Sequence, residues 1–240
     1  MSIRKHIPDT ITSMNLLCGV MGVIFTLKGR PDTGFLLMIG GAVCDFFDGL
    51  AARLLKASSG IGKELDSLAD MVTFGVLPSL MLFGAGGADN VILKHIPLLL
   101  AVFSALRLAK FNLDERQHEG FLGLPTPASA MLCGSLACYV HDVPGSLLDV
   151  WCDCPAFIPV LTLVLCFLLV CEVPMFSMKF GGGNKASRAD KIKRIVFLAI
   201  VVMSVLAVAL TGKGWPLAVL ASFTGYILVN LVFALFKIDG

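Results

Sequence analysis

Eight apolar runs, each close to the length that crosses a bilayer, occupy most of this chain and leave few folds open to it. They cover residues 10–28, 33–55, 65–84, 93–111, 125–142, 156–173, 192–211 and 215–236. A hydrocarbon core about 30 Å thick is crossed by about 20 apolar residues in a helix. Backbone polar groups have no water to bond in lipid, so only helices and closed barrels span it. A barrel would read as short alternating segments, whereas these runs are continuous. Only 15% of the residues are charged, against about 25% in a soluble domain. The expectation is an all-α integral membrane protein, a bundle of about eight transmembrane helices forming one membrane domain over residues 1–240. The net charge of +2 says little, and no nucleic-acid partner is expected.

The placement of the charges says more. If the N-terminus is cytoplasmic, the inward segments carry Arg4, Lys5, Arg53, Lys56, Lys63, Arg107, Lys110, Arg116, Lys179, Lys185, Arg188, Lys191, Lys193, Arg194 and Lys237, which is 15 of the 19 Lys and Arg. The outward segments carry Lys28, Arg30, Lys94 and Lys213, the other 4. Cytoplasmic loops are enriched in Lys and Arg, so both termini and the turn between the second and third runs are expected on the cytoplasmic side. A cleaved signal peptide is disfavoured, because Thr10, Thr12 and Asn15 interrupt the first run and no small-residue cleavage site follows.

That turn lies inside the most informative stretch. Asp45, Asp48, Asp66 and Asp70 sit between runs suited to lipid, where a carboxylate is costly and marks function by default. Asp45, Asp48, Gly49 and Ala52 fall at i, i+3, i+4 and i+7, one helical face; Gly62, Asp66 and Asp70 form a second stripe. Two helices joined by a short polar turn would bring the stripes together. Bound divalent cations would compensate the acids, since hard cations take oxygen ligands. The glycines and Ala52 leave room for a bulky ligand, and the Arg53 guanidinium suits a phosphate.

The whole pattern is D-x2-D-G-x2-A-R-x8-G-x3-D-x3-D, with every fixed position filled by Asp45, Asp48, Gly49, Ala52, Arg53, Gly62, Asp66 and Asp70. It resembles the signature of the CDP-alcohol phosphatidyltransferase family. The resemblance implies a six-helix catalytic unit over 1–175, two added helices within 190–240, and usually a homodimer. It implies two divalent cations, Mg²⁺ or Mn²⁺, held by Asp45, Asp48 and Asp66, with Asp70 as base and further ligand. Gly49, Ala52, Arg53 and Gly62 would lie along CDP-diacylglycerol, Ser59 would contact its phosphates, and Asn15 its cytidine. Read without the family, Pro8-Asp9-Thr10 is simply a capped helix start and Ser58-Ser59-Gly60 a turn.

Two further segments are similar to the serine-using bacterial branch of that family: Asn15-Leu16-Leu17-Cys18-Gly19, and Arg107-Leu-Ala-Lys110-Phe-Asn112 followed by Gly123-Leu-Pro-Thr126-Pro-Ala128. By themselves the latter residues read as a cytoplasmic loop and a proline-rich helix start. With the resemblance, Arg107 or Lys110 would hold the carboxylate of an amino-acid acceptor, and Asn112 and Thr126 its ammonium or the phosphates. The activity implied is transfer of a phosphatidyl group from CDP-diacylglycerol to L-serine with release of CMP, in the inner (cytoplasmic) membrane.

The same chemistry on glycerol 3-phosphate or an inositol phosphate is the nearest alternative. A cation transporter would show repeats with broken helices at the midplane, and a purely structural protein would leave the acids uncompensated. Cys152 and Cys154 lack the second ligand pair that structural zinc needs, and the other cysteines lie in apolar runs as small hydrophobes. The basic loop 179–194 favours anionic membrane lipids at about 1 kcal/mol per charge. The last two helices, without intramembrane charge, are expected to be scaffold.

Overall fold

A computed structural model describes residues 6–55, 60–113, 121–176, 188–212 and 214–236. The chain is an all-α, multi-pass membrane protein. Its helices are α1 (His6–Leu27), α2 (Pro31–Leu55), α3 (Gly60–Ala85), α4 (Val91–Leu113), α5 (Thr126–Asp142), α6 (Leu147–Asp153), α7 (Phe157–Val170), α8 (Arg188–Thr211) and α9 (Pro216–Leu235). Two-residue strands β1 (Phe121–Leu122) and β2 (Pro174–Met175) pair antiparallel, Phe121 opposite Met175 and Leu122 opposite Pro174.

Each expected run corresponds to a helix, but the helices are not equivalent. Six of them, α1 to α4, α8 over Ile192–Thr211, and α9, are long and apolar enough to cross a membrane. A seventh crossing exists if α6 and α7, bent by 90°, act as one broken span. The segment between α5 and α7 contains α6, which starts where Ser146 Oγ accepts from Asp149 N. The remaining run became α5, whose 17 residues rise only about 25 Å. It is buried without a break from Ala128 to Tyr139. Its small residues (Ala, Ser, Cys, Gly) let α2, α3 and α9 pack directly against it.

α3 runs on through Pro78, and just before it Met71–Val76 widens into a π-helical turn, with Leu77 N–H donating to Val72 O, five residues back. Proline lacks an N–H and its ring crowds the carbonyl four residues earlier, and the wider turn accommodates this inside a helix. π-turns of this kind recur at functional sites, and this one follows Asp70 directly.

α1, α2 and α3 approach one another closely through Gly19, Gly22, Gly34 and Gly41. A Cβ on Gly19 would overlap the Thr73 hydroxyl and lie 3.0 Å from Thr73 Cα. Gly19→Ala should therefore destabilise the protein by about 1–3 kcal/mol, the usual cost of overpacking, read as a lower melting temperature in detergent.

Candidate active site

The acids meet where the second half of α2 and the first half of α3, both packed on α1, bring their side chains together near the start of α1. Asp45 and Asp48, one turn apart on α2, converge with Asp66 of α3, so that one carboxylate oxygen from each lies within 4.8 Å of the others. Asp48 is 5% exposed. At an effective dielectric of 20, each such pair repels by about 3 kcal/mol. Folding has thus gathered charge that a cation would neutralise, and the donor set is all carboxylate oxygen, the kind that suits Mg²⁺ or Mn²⁺ over softer metals. Asp70 stands one turn farther along α3, outside that triad but within electrostatic reach of all three acids.

Side chains from α1 hold two of these carboxylates. Thr12 Oγ1 donates to Asp48 Oδ2 at 2.6 Å. Asn15 Nδ2 donates to Asp70 Oδ1 at 3.1 Å. Asn15 is fully buried, its Oδ1 has no hydrogen-bond partner among the described residues, and its main-chain carbonyl accepts from Thr73 Oγ1 at 3.1 Å. The side chain expected on the nucleotide is here turned toward the fourth acid. Gly49 borders open space, with no atom within 4 Å of where a Cβ would sit. Arg53 is exposed and its Nε donates back to Gly49 O at 2.9 Å, while Ala52 and Gly62 are half-buried. Ser59 lies outside the described residues.

The 107–128 segment separates into different environments. Arg107 is 6% exposed, and its Nη1 donates to Thr126 Oγ1 at 3.2 Å at the buried start of α5. It lies over the Phe111 ring at 5.3 Å and within electrostatic reach of Asp70. Lys110, by contrast, is half-exposed and pairs with Glu172 at 3.2 Å. Asn112 Nδ2 donates to Ser67 Oγ at 2.8 Å and its carbonyl accepts from Lys63 Nζ at 3.3 Å, fastening α4 to α3.

Comparison with known proteins follows the same stretch of chain. Residues 5–153 match the family model described as CDP-alcohol phosphatidyltransferase. The chain belongs to the CDP-alcohol phosphatidyltransferase family. It is 38% identical over 134 residues to a CDP-diacylglycerol–serine O-phosphatidyltransferase of Bacillus subtilis, covering 53% of this chain and 72% of that protein. It is 34% identical over 180 residues to the protein of the same name from Mycobacterium bovis, covering 72% of this chain and 61% of that one. An archaetidylserine synthase of Methanothermobacter thermautotrophicus is 29% identical over 131 residues, 54% of this chain and 56% of its own.

In this member of the family, three site neighbours were not singled out from sequence: Thr12, Thr73 and Glu172. Thr12 and Asn15 stand at i and i+3 in an apolar run, a polar stripe that would have pointed to α1 as a wall of the site. Thr73 and Glu172 carried no local signal, because their partners lie 58 and 62 residues away. Cys152 is buried, Cys154 exposed, and both are free thiols.

Proposed function

We propose that the protein transfers the phosphatidyl group of CDP-diacylglycerol to L-serine, forming phosphatidylserine and CMP. The observation that carries the reading is the convergence of Asp45, Asp48 and Asp66, with Asp70 held beside them by Asn15 in a member of this family. The names of the Bacillus and Mycobacterium relatives support serine as the acceptor.

Asp45, Asp48 and Asp66, with Asp70 as a further ligand, would hold two divalent cations, Mg²⁺ or Mn²⁺. When bound, these stabilise charge on the pyrophosphate oxygens. Asp70 accepts the proton of the serine hydroxyl. That oxygen forms a bond to the phosphorus bearing the diacylglycerol, and the bond from this phosphorus to the CMP oxygen breaks, its electrons leaving with CMP. Asn15 keeps the Asp70 carboxylate aimed. Gly49, Ala52, Gly62 and Arg53 line the open side along the nucleotide, Ser59 would contact its phosphates, and Asn15 would reach the cytidine only on turning its buried amide away from Asp70. Arg107 receives the serine carboxylate beside Thr126, a charge-assisted contact. Lys110 and Asn112 act from farther out, through Glu172 and Ser67.

Thr12 fixes one oxygen of Asp48, and partners of metal ligands usually set affinity by 10- to 100-fold. Thr12→Val should weaken Mn²⁺ binding by about that factor, with Thr12→Ser close to wild type. Titration of the metal-dependent melting shift checks it.

In this reading residues 1–175 form the catalytic unit and residues 190–240 two added helices. Both termini and the site face the cytoplasm in the inner membrane, a homodimer is the working unit, and membrane lipids surround it. The acceptor is tested by supplying purified protein with CDP-diacylglycerol, Mg²⁺ and equal concentrations of serine, glycerol 3-phosphate and inositol phosphate. Phosphatidylserine is the product expected, and a phosphodiester of another alcohol in its place would overturn the assignment of Arg107.

A further inference from the structure

The acceptor end of the site is fastened by residues beyond the family match, which ends at residue 153. Phe176, just after β2, has both its main-chain groups engaged by α9. Its N–H donates to Asn230 Oδ1 at 3.0 Å, and its carbonyl accepts from Tyr226 Oη at 2.9 Å. Asn230 Nδ2 donates to Tyr226 O at 2.8 Å, which fixes the orientation of the amide. Tyr226 and Asn230 are fully buried and one helical turn apart. The Phe176 ring packs edge-on against Tyr226 and Phe197, with centroids at 4.9 and 5.9 Å. Two side chains of α9 thus take the place of a third strand beside β1 and β2.

The fastening continues to the site. β2 pairs with β1, Gly123 N–H donates to Val173 O at 2.9 Å, and Leu124 N–H to Leu168 O at 2.8 Å. Gly123 has φ +77°, and a Cβ there would come within 2.7 Å of Cys171 O, so the chain turns here at contact distance and leads directly into Thr126, the partner of Arg107. Glu172, two residues before β2, holds Lys110. Tyr226 is also within electrostatic reach of Arg107.

We infer that Tyr226 and Asn230 are positioning residues for the acceptor: by holding Phe176 and β2 they set the place of the Arg107–Thr126 corner. This gives the two C-terminal helices a part in acceptor binding. The inference rests on the reading above, in which that corner receives the acceptor carboxylate.

The test is steady-state CMP release with serine varied at saturating CDP-diacylglycerol, then the converse. Tyr226→Phe keeps the aromatic packing and loses one buried hydrogen bond. It should raise KM for serine about tenfold, with kcat and the KM for CDP-diacylglycerol within about twofold of wild type. Asn230→Leu should do the same. Arg107→Ala separates the two claims. If it leaves the serine KM unchanged, the corner does not receive the acceptor and both readings fall. If it raises that KM while Tyr226→Phe and Asn230→Leu do not, the inference alone is overturned. A loss of active enzyme with both KM values unchanged would mean a purely structural role and would also overturn it.

Discussion

Asp70→Asn should lower the rate of CMP release by about 10²- to 10⁴-fold, the usual contribution of a positioned base, and it should do so mainly in kcat. Asparagine keeps the size of the side chain and an oxygen for Asn15 Nδ2, now 3.1 Å from the carboxylate. It cannot take a proton from a hydroxyl. Because Asp70 stands outside the triad of Asp45, Asp48 and Asp66, its replacement should leave most of the metal-dependent stabilisation in place. A single-turnover measurement with bound CDP-diacylglycerol, added serine and a parallel melting curve separates these effects. A rate within a few-fold of wild type would remove Asp70 as the base.

Asp48→Asn should have the opposite signature, large in binding and reversed in stability. With chelator present, the wild-type triad carries repulsion of about 3 kcal/mol per pair, and Asp48 takes part in two pairs. The variant keeps an acceptor for Thr12 and removes the charge, so in chelator it should melt at a higher temperature than wild type. With Mg²⁺ the gap should narrow. Wild type at 100 times its Kd gains about 2.7 kcal/mol from the metal, and the variant gains far less, together with a near-complete loss of CMP release. Melting curves of both proteins with and without metal form the comparison. A variant less stable than wild type in both conditions would mean that Asp48 serves packing rather than a cation.

Most of the site's acids were legible because their spacing is local. Asp45 and Asp48 share a helical face by their three-residue separation, as do Asp66 and Asp70 by four, and the few residues separating α2 from α3 in the chain keep the two stripes near each other, where three of the acids meet. The apolar runs likewise announced a helical membrane protein. What stayed hidden depends on distant packing. The bond between Thr12 and Asp48 spans 36 residues and that between Phe176 and Asn230 spans 54, so neither leaves a pattern in any window of sequence. Asn15 was named through the family resemblance as a nucleotide contact, and its direction toward Asp70 follows from how Gly19 and Gly41 let α1 approach Thr73. The widened turn at Met71–Val76 precedes Pro78, a residue that can produce either a kink or a wider turn in a helix. α5 was indistinguishable from a lipid-facing span because small residues count as apolar whichever surface they meet.

The most direct test of the central claim is to incubate purified protein in detergent with CDP-diacylglycerol and isotopically labelled serine, with Mg²⁺, with chelator, and with chelator followed by excess Mn²⁺. The account predicts labelled phosphatidylserine and CMP in equal amounts with Mg²⁺, neither with chelator, and recovery of both on adding Mn²⁺. Equal amounts of the two products in chelator, or CMP released with phosphatidic acid and no labelled lipid, would contradict it.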